Sequence, residues 1–391
     1  MVDVQGEVAP GFESVREAFT QNFEQHGDVG AAFALYVRGT KVVDLWGGVA
    51  DQDDGRPWTE DTLQLVFSTT KGATAMCAHL LASRGELDLD APVQEYWPEF
   101  ATEGKDAVPV RWLLCHKAGL PVVDEAVTPA QAVDWDHMAG LLAAGKPQWE
   151  PGTAHGYHAL TYGWLVGEVV RRVSGRSLGR FLADELAGPL GLDLWVGLPE
   201  GEEKRVSRLI EQSTDLGEGM TEELVATLPE EVRALVTAYL DPTSLTQRAL
   251  TVTDPALDWN SREVHAAEIP AANGIADARS LARLYAACVG EVDGVRVLDE
   301  ATVRAASEVQ TEGQDRVLLV PTVFGSGFML SSDFAPLLSD RSFGHPGAGG
   351  SLALGDPDAQ VGFAYVMNKM QQNLAGDPRT LTLIEAVRTS L

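Results

Sequence analysis

Strand-forming text lies at the two ends of this chain and helix-forming text lies between them. Residues 30–38 and 41–50 are rich in β-branched and aromatic side chains and flank Gly39-Thr40, so they read as a hairpin. Residues 325–331, 342–346, 351–355 and 360–368 repeat the signal at the spacing of an antiparallel meander. Helical patterns bracket both sets: Phe12, Val15, Phe19 and Phe23 within 12–26, and a closing amphipathic stretch over 380–391. From Leu87 to about Asp254 strand alternation is scarce. There, 111–119 reads as a helix ending at Gly119, 164–174 as a helix capped by Gly175, and 176–193 as one ending at Pro189 and Gly191. Residues 216–231 form an acidic, solvated excursion, and 232–260 carry little pattern. A further helix is expected over 278–289, after Asn273-Gly274. The expected fold class is α+β. One antiparallel sheet built from 1–66 and 265–391 is flanked by terminal helices. A mostly helical domain, 67–264, is inserted, with the active site in the cleft between the two.

Charge narrows the partners. The formal net charge is −28, which disfavours nucleic acid and anionic membrane surfaces and weakly favours an uncharged small-molecule substrate. No apolar run approaches the roughly 18 residues of a membrane span. The three cysteines, Cys77, Cys115 and Cys288, are widely spaced and form no C-x-x-C. With no leader pattern visible at the N-terminus, a reducing, cytoplasmic location is expected. Nothing in the chain indicates an oligomeric state.

One polar cluster interrupts an apolar stretch. Ser68-Thr69-Thr70-Lys71 lies between Val66-Phe67 and a run in which Ala73, Met76, Cys77, Leu80 and Leu81 recur at helical spacing. The spacing predicts a buried helix over 68–83 with Gly85 just past its end. Ser68 and Lys71 then share one face of the first turn. A serine hydroxyl is a weak nucleophile until a base takes its proton, and a desolvated lysine amine is such a base. The amide groups of a helix N-terminus suit a developing oxyanion. On its own the motif equally describes a helix cap followed by a solvated lysine.

Two further stretches supply partners. The loop Trp149–Trp164 presents Tyr157, with Tyr162 as a competitor for the same role. A phenol in a cleft can act as a general acid or base. His155 and His158 make H-x-x-H, but no third ligand accompanies them, so no metal site is expected and no cofactor is called for. The second stretch is His345-Pro346-Gly347-Ala348-Gly349-Gly350-Ser351, between strand signals. Its glycines permit close approach of a substrate, and a strand N–H there can serve as a second oxyanion donor beside that of Ser68. His345 can place a cation or a hydrogen-bond donor near Tyr157. Gly349-Gly350-Ser351-Leu352-Ala353 misses the G-x-S-x-G nucleophile elbow, and no H-E-x-x-H, Walker loop or G-x-G-x-x-G is present.

In this order the three motifs resemble those of the serine β-lactamase and penicillin-binding-protein superfamily: S-x-x-K, Y-x-N, and K-T-G or H-T-G. They stand here as Ser68–Lys71, Tyr157-His158-Ala159 and His345-Pro346-Gly347. Residues 113–121, Pro151-Gly152-Thr153 and Asn273-Gly274 look similar too. Ala159 replaces the asparagine that holds a lactam side-chain amide in β-lactamases, and His345 replaces the lysine. The chain therefore looks most like the family VIII carboxylesterases, which share the class C β-lactamase fold and hydrolyse small esters. The resemblance implies Ser68 as acylated nucleophile, Lys71 as base or relay, and Tyr157 as proton donor to the leaving alcohol. It also implies an oxyanion hole from the N–H groups of Ser68 and Ala348, with Gly349 as the alternative to Ala348. Three rivals remain: a D-amino-acid peptidase or amidase, a weak β-lactamase, and a non-catalytic binding or structural homologue.

Overall fold

The structure, a computed structural model, describes residues 2–211, 228–371 and 376–391. Its main sheet is antiparallel, with strands β1 (Gln5–Val8), β2 (Gly30–Val37), β3 (Thr40–Asp51), β4 (Thr311–Gln314), β5 (Pro321–Phe324), β6 (Met329–Leu330), β7 (Phe343–Pro346), β8 (Leu352–Asp356) and β9 (Val361–Met367). The order across the sheet is β1-β3-β2-β9-β8-β7-β6-β5-β4, with Arg56–Pro57 pairing on β3. The N- and C-terminal parts meet where β2 pairs with β9, Phe33 opposite Tyr365. The fold class is thus the expected one.

Side-chain size sorts the two faces of the sheet. Phe33, Leu35, Phe363 and Tyr365 join one core with Val15 and Phe19 of helix α1 (Glu13–Gln25). The opposite face of the same strands carries Ala32, Ala34 and Ala364. Small residues there let a helix lie close. Helix α4 (Ala278–Val289) packs so near that a Cβ on Gly362 would stand 2.1 Å from the carbonyl oxygen of Ala282. Helices α2 (Thr70–Ser83) and α3 (Thr161–Ser174) pack against each other in the helical region, and helix α5 (Pro378–Ser390) packs on α1.

Several sequence expectations shift. The hairpin turn is Arg38-Gly39, with φ of 49° and 76°, so Thr40 opens the returning strand; positive φ at both positions matches strand twist in a two-residue turn. The helix expected over 68–83 begins instead as a 3₁₀ turn, Phe67–Thr69, and becomes α-helical at Thr70. The helix expected to reach Gly119 is only Val110–Leu114, because His116 and Gly119 take left-handed φ of 63° and 77°. The stretch 176–193 is broken into Leu178–Leu182, a π turn over Ala183–Ala187, and Gly188–Leu190. Pro189 lacks the N–H an unbroken helix needs there. In 325–331 only Met329–Leu330 is strand, preceded by a turn in which Gly327 has φ of 90°. Strands β1, β4 and β5 were not expected. Neither was a small sheet of Gln64–Leu65, Ile275–Ala276 and Leu194–Trp195. The uninformative stretch holds Glu230–Leu240 and Leu245–Leu250, both helical, while the acidic excursion lies outside the described residues as far as residue 227. All three cysteines are free and buried.

Gly362→Ala drives a methyl group into the backbone of α4. It is expected to destabilise the protein by about 1–3 kcal/mol, the usual cost of overpacking, read as a lowered thermal or urea midpoint. An unchanged midpoint would show that α4 stands off from the sheet.

Candidate active site

Every residue from Thr62 to Leu81 is buried except Ser68, which is half-buried. The turn that turns it outward is strained at Phe67, whose φ is 44°. Left-handed φ costs a non-glycine residue on the order of 1–2 kcal/mol. The Phe67 ring is held edge-on to Trp259, with centroids 5.1 Å apart.

Lys71 is fully buried, and its Nζ lies 3.0 Å from Ser68 Oγ. Nζ also donates to the carbonyls of Ala159 at 2.7 Å and Ala271 at 3.0 Å, and sits 4.7 Å from the Tyr157 ring centroid. Burial alone drives the lysine pKa well below its ordinary value; no carboxylate contributes. The free amine fits its three neighbours: two N–H groups for the two carbonyls, one lone pair for the serine hydroxyl. Asn273 shapes the Ala271 segment. Its amide donates to Val264 O at 2.8 Å and Ala267 O at 2.6 Å, and its oxygen accepts from Ile269 N–H. Gly274 donates to Thr70 Oγ1 at 2.9 Å, docking that segment on the start of α2.

Tyr157 is buried between the rings of Phe324 (6.1 Å, 9°) and His345 (5.8 Å, 29°), with His116 at 5.0 Å. Burial pushes its phenol pKa up, and the Ser68 hydroxyl pulls it partly back. Tyr162 is not brought to the serine. It is fully buried on α3, its hydroxyl 3.5 Å from the main-chain oxygen of Lys71.

The histidines do not converge. His158 Nε2 accepts from Leu120 N–H at 2.9 Å and Nδ1 donates to Gly156 O at 2.7 Å, so backbone groups occupy both nitrogens. Its pKa is pushed down to about 3 by burial. His155 Nε2 faces Thr322 Oγ1 at 2.9 Å instead. Among the described residues no group of three or more His, Cys, Asp or Glu side chains stands together as a metal site would require. His345 donates Nδ1–H to Pro346 O at 2.7 Å, and its buried Nε2 has no partner among the described residues. Burial, then the Lys71 amine, takes its pKa to about 3. The ring is therefore neutral and offers a bare acceptor, not the cation or donor that the sequence suggested.

The glycine turn follows directly. Gly347 N–H is taken by Ser351 O at 2.7 Å, and Gly350 N–H by Gly347 O at 3.1 Å. Ala348, exposed at the tip, makes no main-chain hydrogen bond through its N–H among the described residues, and neither does Gly349. A Cβ on Gly347 would lie 2.2 Å from Val66 O, so this turn and the serine turn touch. Ser351 joins them: its hydroxyl donates to Val66 O at 2.9 Å and lies 3.1 Å from Thr69 Oγ1. At its outer end the turn is held by Arg379, which donates to Gly349 O and is paired in the interior with Asp28 at 2.9 Å and Asp377 at 2.7 Å.

Sequence reasoning did not single out His116, Asp315, Ser351 or the Ala271 carbonyl. His116 lies in a stretch read as familiar, 113–121, but what marks it is its left-handed backbone, its ring contacts to Tyr157, Tyr162 and Phe324, and its Nδ1, which accepts from His158 N–H at 3.1 Å.

A helical region set on an antiparallel sheet, with a buried lysine against a half-exposed serine, is the arrangement of the β-lactamase-like serine hydrolases. Comparison with known proteins agrees. The family described as Beta-lactamase matches residues 15–387, and the chain belongs to that family. It is 37% identical over 374 residues to the esterase/beta-lactamase LipL of Mycobacterium tuberculosis, covering 94% of this chain and 83% of that protein. A family VIII carboxylesterase structure is similar over 100% of both chains, at 39% identity and a TM-score of 0.85. A penicillin-binding protein homologue from Caulobacter crescentus is similar over 100% of both chains, at 40% identity and a TM-score of 0.85. The protein is a serine hydrolase acting on esters. No described helix is long and apolar enough to cross a membrane.

Ser351→Ala cuts the tie between the two turns. Stability should fall by about 1 kcal/mol, the worth of one hydrogen bond, while kcat on p-nitrophenyl butyrate should fall by roughly tenfold or more. Steady-state kinetics beside a melting curve separates the two effects. A kcat equal to wild type would show that the turns hold their places unaided.

Proposed function

We propose that this protein is a carboxylesterase that hydrolyses small, uncharged esters through an acyl-enzyme on Ser68. The observation that carries the proposal is the Lys71 amine, 3.0 Å from Ser68 Oγ and buried without an acidic partner. In acylation Lys71 takes the hydroxyl proton as Oγ attacks the ester carbonyl carbon. The tetrahedral oxyanion is met by the N–H groups of Ser68 and Ala348, each such donor supplying about 3 kcal/mol. Collapse breaks the bond to the alcohol oxygen, which takes its proton from Tyr157, and the lysine ammonium returns a proton to the phenolate. Deacylation runs the steps in reverse with water in place of the alcohol: water attacks the acyl carbon as its proton passes to Tyr157 and the phenol's to Lys71, and the bond to Ser68 Oγ breaks as Lys71 returns that proton to it, releasing the carboxylic acid.

Substrate charge follows from what surrounds the serine. His345 is neutral where the resembling peptidases carry lysine, and the chain as a whole carries −28, so an acid group beside the scissile bond finds no cation. Ala159 contributes a main-chain carbonyl to Lys71 and no side-chain amide for a lactam substituent. Esterase and carboxylesterase are also the words attached to LipL and to the family VIII structure.

Hydrolysis of p-nitrophenyl acetate and butyrate beside nitrocefin, for wild type and Ser68→Ala, tests the reading. Ester turnover should drop by at least about 10³-fold in the variant, with nitrocefin slow in both. Ester turnover that survives Ser68→Ala refutes the site, and fast nitrocefin cleavage moves the protein to the β-lactamases. The pH profile gives a second test. Lys71 works only as the free amine, so kcat/KM should fall as pH drops through its depressed pKa. His345 is uncharged above about pH 3 and contributes no limb near neutrality. His345→Gln should therefore leave the acid limb where it is; a displaced limb would assign it to the histidine.

A further inference from the structure

Tyr157 is held by a residue far away in the chain. Asp315 opens the connection between β4 and β5 and is fully buried. Its Oδ1 accepts from the backbone N–H groups of Val317 at 2.8 Å and Leu318 at 2.9 Å within its own turn, and from that of Tyr157 at 3.0 Å. The Thr322 hydroxyl lies 3.4 Å from Oδ2. The same turn grips the tyrosine loop a second time, Arg316 N–H donating to His155 O at 3.1 Å. Thr246 braces it from behind through Val317 O at 2.5 Å.

The carboxylate has no arginine or lysine against it among the described residues. Its one neighbour at ion-pair range is His155 Nε2, 3.9 Å away, and burial holds that ring's pKa below the ordinary value against the pull of Asp315. Amide donors therefore satisfy this charge, and a buried anion so held is both a rigid anchor and a fixed field.

We propose that Asp315 is a positioning residue for Tyr157: its carboxylate sets the main chain of the tyrosine loop relative to Ser68 and Lys71. Burial, with a smaller push from Asp315, raises the Tyr157 pKa, which suits the phenol to donate its proton to a leaving alkoxide. The other titratable groups against the Tyr157 ring are Lys71 from α2, His116 after Val110–Leu114 and His345 from β7, and burial lowers the pKa of each. Burial, and then Asp315, push the Tyr239 phenol up to about 12.

The proposal rests on the reading of Tyr157 as proton donor, and the test separates the two. Asp315→Asn, Asp315→Ala and Tyr157→Phe are compared with wild type for kcat and KM on ethyl butyrate, whose alkoxide needs a proton to leave, from pH 6 to 10, with melting curves. Asp315→Asn keeps an oxygen for the three amides and removes the charge. With the anchor kept, its kcat and KM should stay within a few-fold of wild type. Asp315→Ala loses the anchor; kcat should fall by about 10²-fold with KM within a few-fold, the expected result of a misplaced reacting group. An Asp315→Ala kcat within a few-fold of wild type, beside an inactive Tyr157→Phe, overturns the assignment of Asp315 alone. Wild-type turnover in Tyr157→Phe overturns the role of the tyrosine and this proposal with it.

Discussion

The site depends on one buried amine. Lys71 Nζ is surrounded by two carbonyl oxygens and one hydroxyl, with no carboxylate among the causes of its pKa shift. An unpaired ammonium in that position costs several kcal/mol in lost hydration, whereas a free amine donating two hydrogen bonds costs little. The fold therefore favours the free amine at Lys71, the form the proposed mechanism uses. The two carbonyls come from segments more than a hundred residues apart, and a glycine lets them meet. A Cβ on Gly163, near the start of α3, would lie 2.5 Å from Ala271 N. Ala159, just before α3, and Ala271 are brought to one point by that contact.

This explains how the chain tolerates Ala159 where its resembling relatives carry asparagine. The side-chain amide is gone, but the main-chain carbonyl of the same residue takes a hydrogen from the amine at 2.7 Å. The second departure, His345, is consistent with the first. A lysine in that strand would add a second ammonium beside an amine that works only when uncharged. The neutral imidazole, its Nδ1–H committed to Pro346 O, keeps positive charge away from Lys71. Neither replacement touches the contacts of Lys71 with Ser68 and with the Ala159 and Ala271 carbonyls, on which the proposed mechanism draws.

The parts of this arrangement legible in the sequence are those that rest on side-chain identity at short spacing. Ser68 and Lys71 are such a pair, and so is the α2 periodicity behind them. The sheet read well where strands are long and apolar, as β2, β3 and β9 are. It did not read at β4, where Glu312-Gly313-Gln314 carries no apolar face, or in the small sheet, whose strands are two residues each. Asp315, Ser351 and Ala271 were invisible for another reason. They act by accepting or donating to main-chain groups, or through a main-chain oxygen, across 158, 285 and 200 residues, and no local pattern encodes such a contact. The helix expected over 111–119 failed because left-handed backbone at His116 is set by the rings packed around it, not by helix propensity.

Catalysis of the kind proposed needs its oxyanion donors fixed in advance, because stabilisation lost to rearrangement does not reach the transition state. Here the two donors would belong to turns from opposite ends of the chain, 67–69 and 347–350. The serine turn is strained, with Phe67 at a φ of 44°, whereas Gly349 reaches its φ of 87° freely for want of a Cβ. Each is over-determined by its surroundings. Trp259 clamps Phe67, Arg379 clamps the carbonyl of Gly349 from the interior, and the Ser351 hydroxyl spans the gap between the turns. Arg379 is itself fully buried and neutralised by Asp28 and Asp377, so the anchor at the outer end of the glycine turn is a charge-paired knot at the start of α5. The terminal helix and the first strands are in this way part of the site, although none of their residues approaches the serine. Strain at Phe67 and a buried ion cluster tens of residues from any motif follow from one requirement, that two amides from distant turns hold a fixed separation.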